Sequence, residues 1–179
     1  GTTGAVLEAL ATGAGLRAGN YSSPHLITLC ERIRIAGTPI RVECLEPILS
    51  ALLEHAGSKP PTFFEAMTVA AVEYFAQQQV DLASCGVGLG GRCDATTAID
   101  IEAAIVTRIE LEHTDVLGDT IAAIAGEKAA VIRPNGLGLT ATTGEALEVT
   151  RVHAQQVEAE LLVMGEDFDL HNVTFDAGG

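Results

Sequence analysis

The chain has 179 residues, 24 of them acidic against 10 Lys or Arg, a formal net charge of −14 and 47% hydrophobic content. That length is enough for one domain with its own core, and the apolar content argues for a globular chain over a disordered one. An acid excess repels phosphate backbones, and no apolar run reaches about 20 residues without a charge, so neither nucleic-acid binding nor a transmembrane span is expected.

Residues 3–16 open the chain with Val6, Ala9 and Leu10 at helical spacing, Thr2 or Thr3 as the candidate cap, and Gly13, Gly15 and Arg17-Ala-Gly19 as the stop. Asn20-Tyr-Ser-Ser-Pro-His-Leu26 reads as a strand end running into a loop, because Ser-Pro breaks regular structure. Residues 43–56 carry a helical stripe of leucines and isoleucine. A further helix spans 62–79, with Thr62 capping and Glu65 completing a capping box. Short apolar runs at 81–87 and 103–109 are buried strands by length and content. Asp119 opens a helix to about Ile132, which Pro134-Asn-Gly136 closes. A strand at 137–141, a helix at 144–160 and a strand at 161–164 follow, and 168–175 alternates as an antiparallel edge strand would. The alternation predicts an α/β fold: a mostly parallel sheet with helices on both faces, in one incomplete domain over 1–179.

Cys30, Cys44, Cys85 and Cys93 show no CxxC spacing, so buried or incidental thiols are expected before a disulfide or zinc framework. No secretory leader is recognisable, and a reduced cytoplasm is the expected location.

The most informative stretch is Gly86-Val-Gly-Leu-Gly-Gly-Arg-Cys-Asp-Ala-Thr96, where four glycines in six residues end an apolar run. Glycines there let backbone approach a ligand closely, and Arg92 and Asp94 add opposite charges at the carboxyl end of a strand, where α/β sheets bind ligands. A plain structural turn is the competing reading. Gly1-Thr-Thr3 lies at a helix N-terminus, which suits phosphate, although with no Lys before it a plain cap is the better reading from the residues alone. Ser22-Ser-Pro-His25 reads as a surface loop. Thr62-Phe-Phe-Glu65 is explained by the capping box, with Phe63 and Phe64 as core or staple residues or as rings covering a flat ligand. Glu112-His-Thr-Asp115 places a His beside carboxylates, fit for a divalent metal, for acid–base work or for a solvated turn. Lys128, inside an apolar helix, is either a snorkelling surface residue or a charge used in chemistry.

In this order the segments resemble the central ATP-binding domain of the folylpolyglutamate synthase/dihydrofolate synthase family, within the Mur ligase superfamily. The blocks are Gly1-Thr-Thr3, Tyr21-Ser-Ser-Pro-His-Leu26, Glu31-Arg-Ile-Arg34, Thr62-Phe-Phe-Glu65, 87–96, 111–118 and Gly126-Glu-Lys-Ala129. The resemblance implies an ATP-dependent ligase: ATP phosphorylates a pteroate or folate carboxylate and the amine of glutamate attacks, forming an amide. It implies ATP and Mg²⁺ as cofactors and small-molecule partners, dihydropteroate or folate and L-glutamate. By resemblance Gly1, Thr2 and Thr3 face the nucleotide, Thr2 and His113 hold metal, and Lys128, carbamylated in the family, and His113 serve catalysis. Ser22, Ser23, Pro24, His25, Thr62, Phe63, Phe64, Glu65, Arg92, Cys93, Asp94 and Ala95 match segments at or beside the substrate pocket.

Departures accompany the match. Gly86 stands where the family has a metal-binding Glu, Thr97 where it has Asn, Glu112 where it has Asp, and Ala130 where it has Gly. The family's phosphate-loop lysine and most of its glycines would lie before Gly1. Two other functions remain in view: a non-catalytic remnant binding a pterin or a partner, and a Mur-type ligase of peptidoglycan precursors. The Ser-Ser-Pro-His and Thr-Phe-Phe-Glu blocks favour folate over the latter.

Overall fold

A computed structural model describes residues 1–169 and 171. The chain divides into two compact units: residues Gly1–Leu89 with Asp94–Ala98, and Gly90–Cys93 with the residues from Ile99 on.

The first unit contains α1 (Thr2–Gly13), β1 (Ala18–Tyr21), β2 (Ile33–Ile35), β3 (Thr38–Pro39), α2 (Val42–Ala56), α3 (Phe63–Gln77) and β4 (Leu82–Cys85), with 3₁₀ turns at Leu29–Arg32 and Ala95–Ala98. Its four-stranded sheet runs β3-β2-β1-β4. β1 and β4 are parallel, Tyr21 lying opposite Cys85, whereas β2 and β3 are antiparallel. The parallel sheet expected from the alternation is therefore mixed here. The reason is a hairpin turning on Ala36 and Gly37, at φ 49° and 76°, the left-handed pair that a two-residue hairpin requires. All four β1 residues are buried, and Tyr21, Ile33, Ile40, Met67, Ala71 and Phe75 form the core. Full burial of one such large side chain stabilises by about 1.5–3 kcal/mol.

α3 begins as its sequence predicts. The Thr62 hydroxyl accepts from Glu65 N at 3.3 Å, and the Glu65 carboxylate accepts from Thr62 N at 2.7 Å. α1 does not use Thr2 or Thr3 as its cap: Gly1 occupies that position, no side chain caps it, and both threonines lie inside the first turn. α1 also sits close over the sheet, since a Cβ on Gly4 would fall 2.5 Å from Asn20 Oδ1.

The second unit contains β5 (Ala103–Val106), α4 (Thr114–Leu117), α5 (Ile121–Ala129), β6 (Leu137–Thr140), α6 (Gly144–Gln156) and β7 (Glu160–Val163). Its three strands are all parallel, in the order β5-β6-β7. Ala104, Val106, Ile124, Ala125, Ile132 and Ala146 fill its core. α5 opens on Thr120, whose hydroxyl accepts from Ala123 N at 3.2 Å, not on Asp119. Most of the edge strand expected at 168–175 lies outside the described residues; Phe168 makes an isolated bridge to Met164.

Candidate functional site

The parallel register of β1 and β4 brings their carboxyl ends together. Gly86 N donates to Tyr21 O at 2.8 Å, and Ser22 N donates to Arg32 O at 2.9 Å. Two loops leave from there, the Ser-Ser-Pro-His segment and the glycine-rich turn, and the N-terminus of α3 faces them. A cleft of about 430 Å³ lies between, lined by Ser23, Pro24, Phe63, Phe64 and Asp94, by Gly88 and Leu89 of the glycine-rich stretch, and by Arg32, which the sequence did not single out as a site residue.

Asp94 builds one wall. Its Oδ2 accepts from Gly88 N at 3.0 Å and Leu89 N at 3.2 Å; its Oδ1 accepts from Thr96 N at 2.9 Å and Thr96 Oγ1 at 2.6 Å. A carboxylate offers about four lone-pair sites, so this buried group is fully occupied in holding the turn. The close approach depends on Gly88: a Cβ there would sit 2.7 Å from Phe64 Cζ and 3.0 Å from Asp94 Oδ2.

Phe64 packs against Tyr21, ring centroids 5.9 Å apart. The Thr68 hydroxyl donates to Phe64 O at 2.8 Å and shares a 3.2 Å hydrogen bond with the Tyr21 phenol. Burial raises the Tyr21 pKa, against the lowering pull of Thr68 and Arg32. Of the two expectations for Phe63, a core or staple residue or a ring over a ligand, the first fails: Phe63 is 55% exposed and lies under the Arg32 guanidinium, whose Cζ is 5.0 Å from the ring centroid. Arg32 is 8% exposed, and its Nε donates to His25 Nδ1 at 2.9 Å. That bond fixes the His25 tautomer with its hydrogen on Nε2. The loop is further held by Glu31, which accepts from Leu26, Ile27 and Thr28 N at 2.8–3.1 Å. These backbone donors, Leu26 foremost, hold its carboxyl below the usual Glu value. Thr62 and Glu65 are occupied with each other, and Thr62 also holds the Glu65 pKa down. Ser22 is half-buried and Ala95 starts the 3₁₀ turn after Asp94.

The remaining candidates lie elsewhere. Gly1, Thr2 and Thr3 are exposed at the uncapped start of α1. A Cβ on Gly86 would fall 3.9 Å from Gly1 N. In the second unit, Arg92 is not a cleft residue: its Nε pairs with Glu127 at 3.1 Å and its Nη2 donates to Gly126 O at 3.2 Å. Cys93 is exposed, His113 is an exposed N-cap at φ 52°, and Lys128 is half-buried in the last turn of α5. Among the described residues, no group of three or more His, Cys, Asp or Glu could hold a metal ion. A phosphate would fit the free N–H groups opening α1; the metal donor set falls short.

Arg32 was legible only indirectly. Ile33-Arg-Ile35 alternates as a strand, and Arg32 precedes a buried position, but nothing local shows that its guanidinium turns inward.

These features define an α/β protein with a cleft at the carboxyl ends of adjacent parallel strands. No family model matches the chain. It is 43% identical over 162 residues to a probable bifunctional folylpolyglutamate synthase/dihydropteroate synthase of Haloferax volcanii, covering 88% of this chain and 19% of that protein. It is 42% identical over 135 residues to the dihydrofolate synthase/folylpolyglutamate synthase of Haemophilus influenzae, covering 75% of this chain and 31% of that protein. Among solved structures, E. coli FolC in complex with DHPP and ADP superposes with a TM-score of 0.90 at 34% identity, over 99% of this chain and 44% of that one. The apo form of L. casei FPGS gives 0.84 at 29% identity, over 95% and 43%. The chain belongs to the folylpolyglutamate synthase/dihydrofolate synthase family, spanning about a fifth to a third of the length of these two curated relatives.

Proposed function

We propose that this chain is part of an ATP-dependent ligase that joins L-glutamate to dihydropteroate or a folate, working in the cytoplasm. Residues 1–179 would form part of its ATP-binding domain. The observation that carries the reading is the cleft: Ser23, Pro24, Phe63, Phe64 and Asp94, drawn from three separated sequence blocks, line one cavity. Phe63 and Phe64 suit a flat heteroaromatic ring, because stacked or tilted aromatic contacts favour such ligands. Asp94 keeps the glycine turn folded against that ring, and His25 holds Arg32. ATP when bound would supply the phosphoryl group that activates the substrate carboxylate. Thr2, Thr3 and Gly4 would offer backbone N–H groups to its phosphates at the start of α1.

Lys128 and His113 are proposed for catalysis, and Thr2 and His113 for Mg²⁺, on family resemblance. Among the described residues, the donors present do not complete a metal site. A second reading has its own support: Gly86 in the metal-Glu position and the absence, among the described residues, of a three-ligand group favour pterin binding without turnover. Titration with pteroate, followed by ADP release on adding MgATP and glutamate, separates the readings. Binding with ADP release supports the ligase, binding alone supports the second reading, and no pteroate binding refutes both.

A further inference from the structure

Between buried Tyr21 and buried Cys30 the chain makes an excursion in which no side chain is buried. Ser22 N donates to Arg32 O at 2.9 Å across its neck, so residues 22–32 form a compact loop whose ends meet. Such a loop is ordinarily held by packing of its own side chains, yet Leu26 is 91% and Ile27 92% exposed. Fixing each backbone residue costs conformational entropy, and burial offsets little of that cost over residues 22–29. Glu31 offsets it instead. Its Oε2 accepts from Leu26 N at 2.9 Å, and its Oε1 accepts from Thr28 N at 2.8 Å and from Ile27 N at 3.1 Å. Three consecutive N–H groups converge on one carboxylate, and hydrogen bonds to an ionised acceptor are roughly twice as strong as neutral ones. The next residue, Arg32, donates to His25 Nδ1 at 2.9 Å. The same loop carries Ser23 and Pro24 into the cleft wall.

We propose that Glu31 is a positioning residue: its carboxylate clamps the loop in the one shape that sets Ser23 and Pro24 at the cleft. The cavity is lined by its neighbour Arg32 and not by Glu31 itself, so Glu31 acts through the loop. Apparent affinity weakens in proportion to the fraction of molecules in the binding-competent shape, and the clamp keeps that fraction near one. Loosening it slows association, because fewer molecules present a formed wall. Dissociation stays the same, because the bound complex is unaltered. A residue that belonged to the wall, or whose loss distorted it, would instead speed dissociation, where most losses of direct contact appear. The two roles therefore separate kinetically.

This role rests on the cleft taking a flat heteroaromatic ring, as proposed above, and the test keeps the two apart. Amide exchange is first followed by NMR on the ligand-free chain near neutral pH. Leu26, Ile27 and Thr28 should be protected although their side chains are exposed, and protection should fall roughly tenfold or more in Glu31→Gln, which keeps the size of the side chain but loses its charge. Stopped-flow mixing with pterin, followed by its own fluorescence, should then show association slowed about three- to tenfold in Glu31→Gln, with dissociation within about twofold of the unaltered chain. Unprotected amides in the unaltered chain overturn the clamp with no variant needed. Unchanged association with protection lost, or faster dissociation, overturns the positioning role while pterin binding stands. No pterin binding by the unaltered chain overturns the reading of the cleft and the positioning role with it.

Discussion

Gly88→Ala is the smallest change that should damage the cleft. The added Cβ would sit 2.7 and 2.9 Å from Phe64 Cζ and Cε2 and 3.0 Å from Asp94 Oδ2. Carbon atoms in contact prefer about 3.5–4.0 Å, so the ring must retreat by about 0.8 Å or the turn must lift. Retreat disturbs the 5.9 Å packing of Phe64 on Tyr21; lifting breaks the Gly88 and Leu89 N–H bonds to Asp94. Overpacking of this kind costs about 1–3 kcal/mol. With a urea slope of about 2 kcal/mol/M, the midpoint should fall by about 0.5–1.5 M. Pterin affinity should fall with it, because ring and turn are both cleft walls. Gly126→Ala is the control. It lies in α5 with nothing within 4 Å of a new Cβ, and should stabilise by about 0.5–1 kcal/mol as Ala replaces Gly in a helix. An unchanged urea midpoint and an unchanged pterin affinity for Gly88→Ala would refute the account of the turn.

Glu31 has a folded pKa below its ordinary value of 4.5 because backbone N–H groups bind its carboxylate; the unfolded chain then binds more protons just below that pH, so its stabilisation is present above about pH 4.5 and lost on acidification. Melting from pH 6 to 3.5 should show a shallower decline for Glu31→Gln than for the unaltered chain, and an identical slope would disprove the contribution. Burial pushes the Cys85 thiol up to about 11, so at pH 8 iodoacetamide should label exposed Cys93 well before Cys85, as read by peptide mass spectrometry. A net charge of −14 implies self-repulsion that salt screens, the Debye length falling from about 10 Å at 0.1 M to about 3 Å at 1 M; the melting temperature should rise across that range, and a fall would count against this electrostatic reading. Gly86→Glu would bring a carboxylate near the start of α1, its Cβ 3.9 Å from Gly1 N and 3.1 Å from Tyr21 O; Mn²⁺ affinity by calorimetry should rise roughly tenfold or more, and no gain would show that a carboxylate there does not make a metal site.

The elements that were legible share a cause. Thr62 with Glu65 states a helix start in four residues, and the apolar runs of β4 to β7 are short and bounded by turn residues, so the elements fall where local chemistry puts them, although β4 and β5, expected to be buried, are partly exposed. What stayed hidden depended on partners distant in sequence. The β2–β3 hairpin turns on Ala36 in a left-handed conformation, which Ala rarely adopts. Arg92 stood next to the glycines and read as a ligand-facing charge, yet Glu127, 35 residues on, takes its guanidinium. Thr2 and Thr3 had the chemistry of caps, but the helix starts one residue too early for either to act as one.

Asp94 and Arg32 show why a charged residue beside a glycine turn cannot be assigned from its neighbours alone. Both charges line the same cleft. The acid is the more conspicuous in sequence, and it is saturated by four donors from its own turn. The base is inconspicuous, ends a 3₁₀ turn, and lines the cavity with its Nε on His25 and its guanidinium over Phe63. An occupied carboxylate of this kind shapes the wall of a cleft without offering it an acceptor. The glycine turn thus serves the geometry: it lets backbone N–H groups reach Asp94 and lets Phe64 close in behind Gly88.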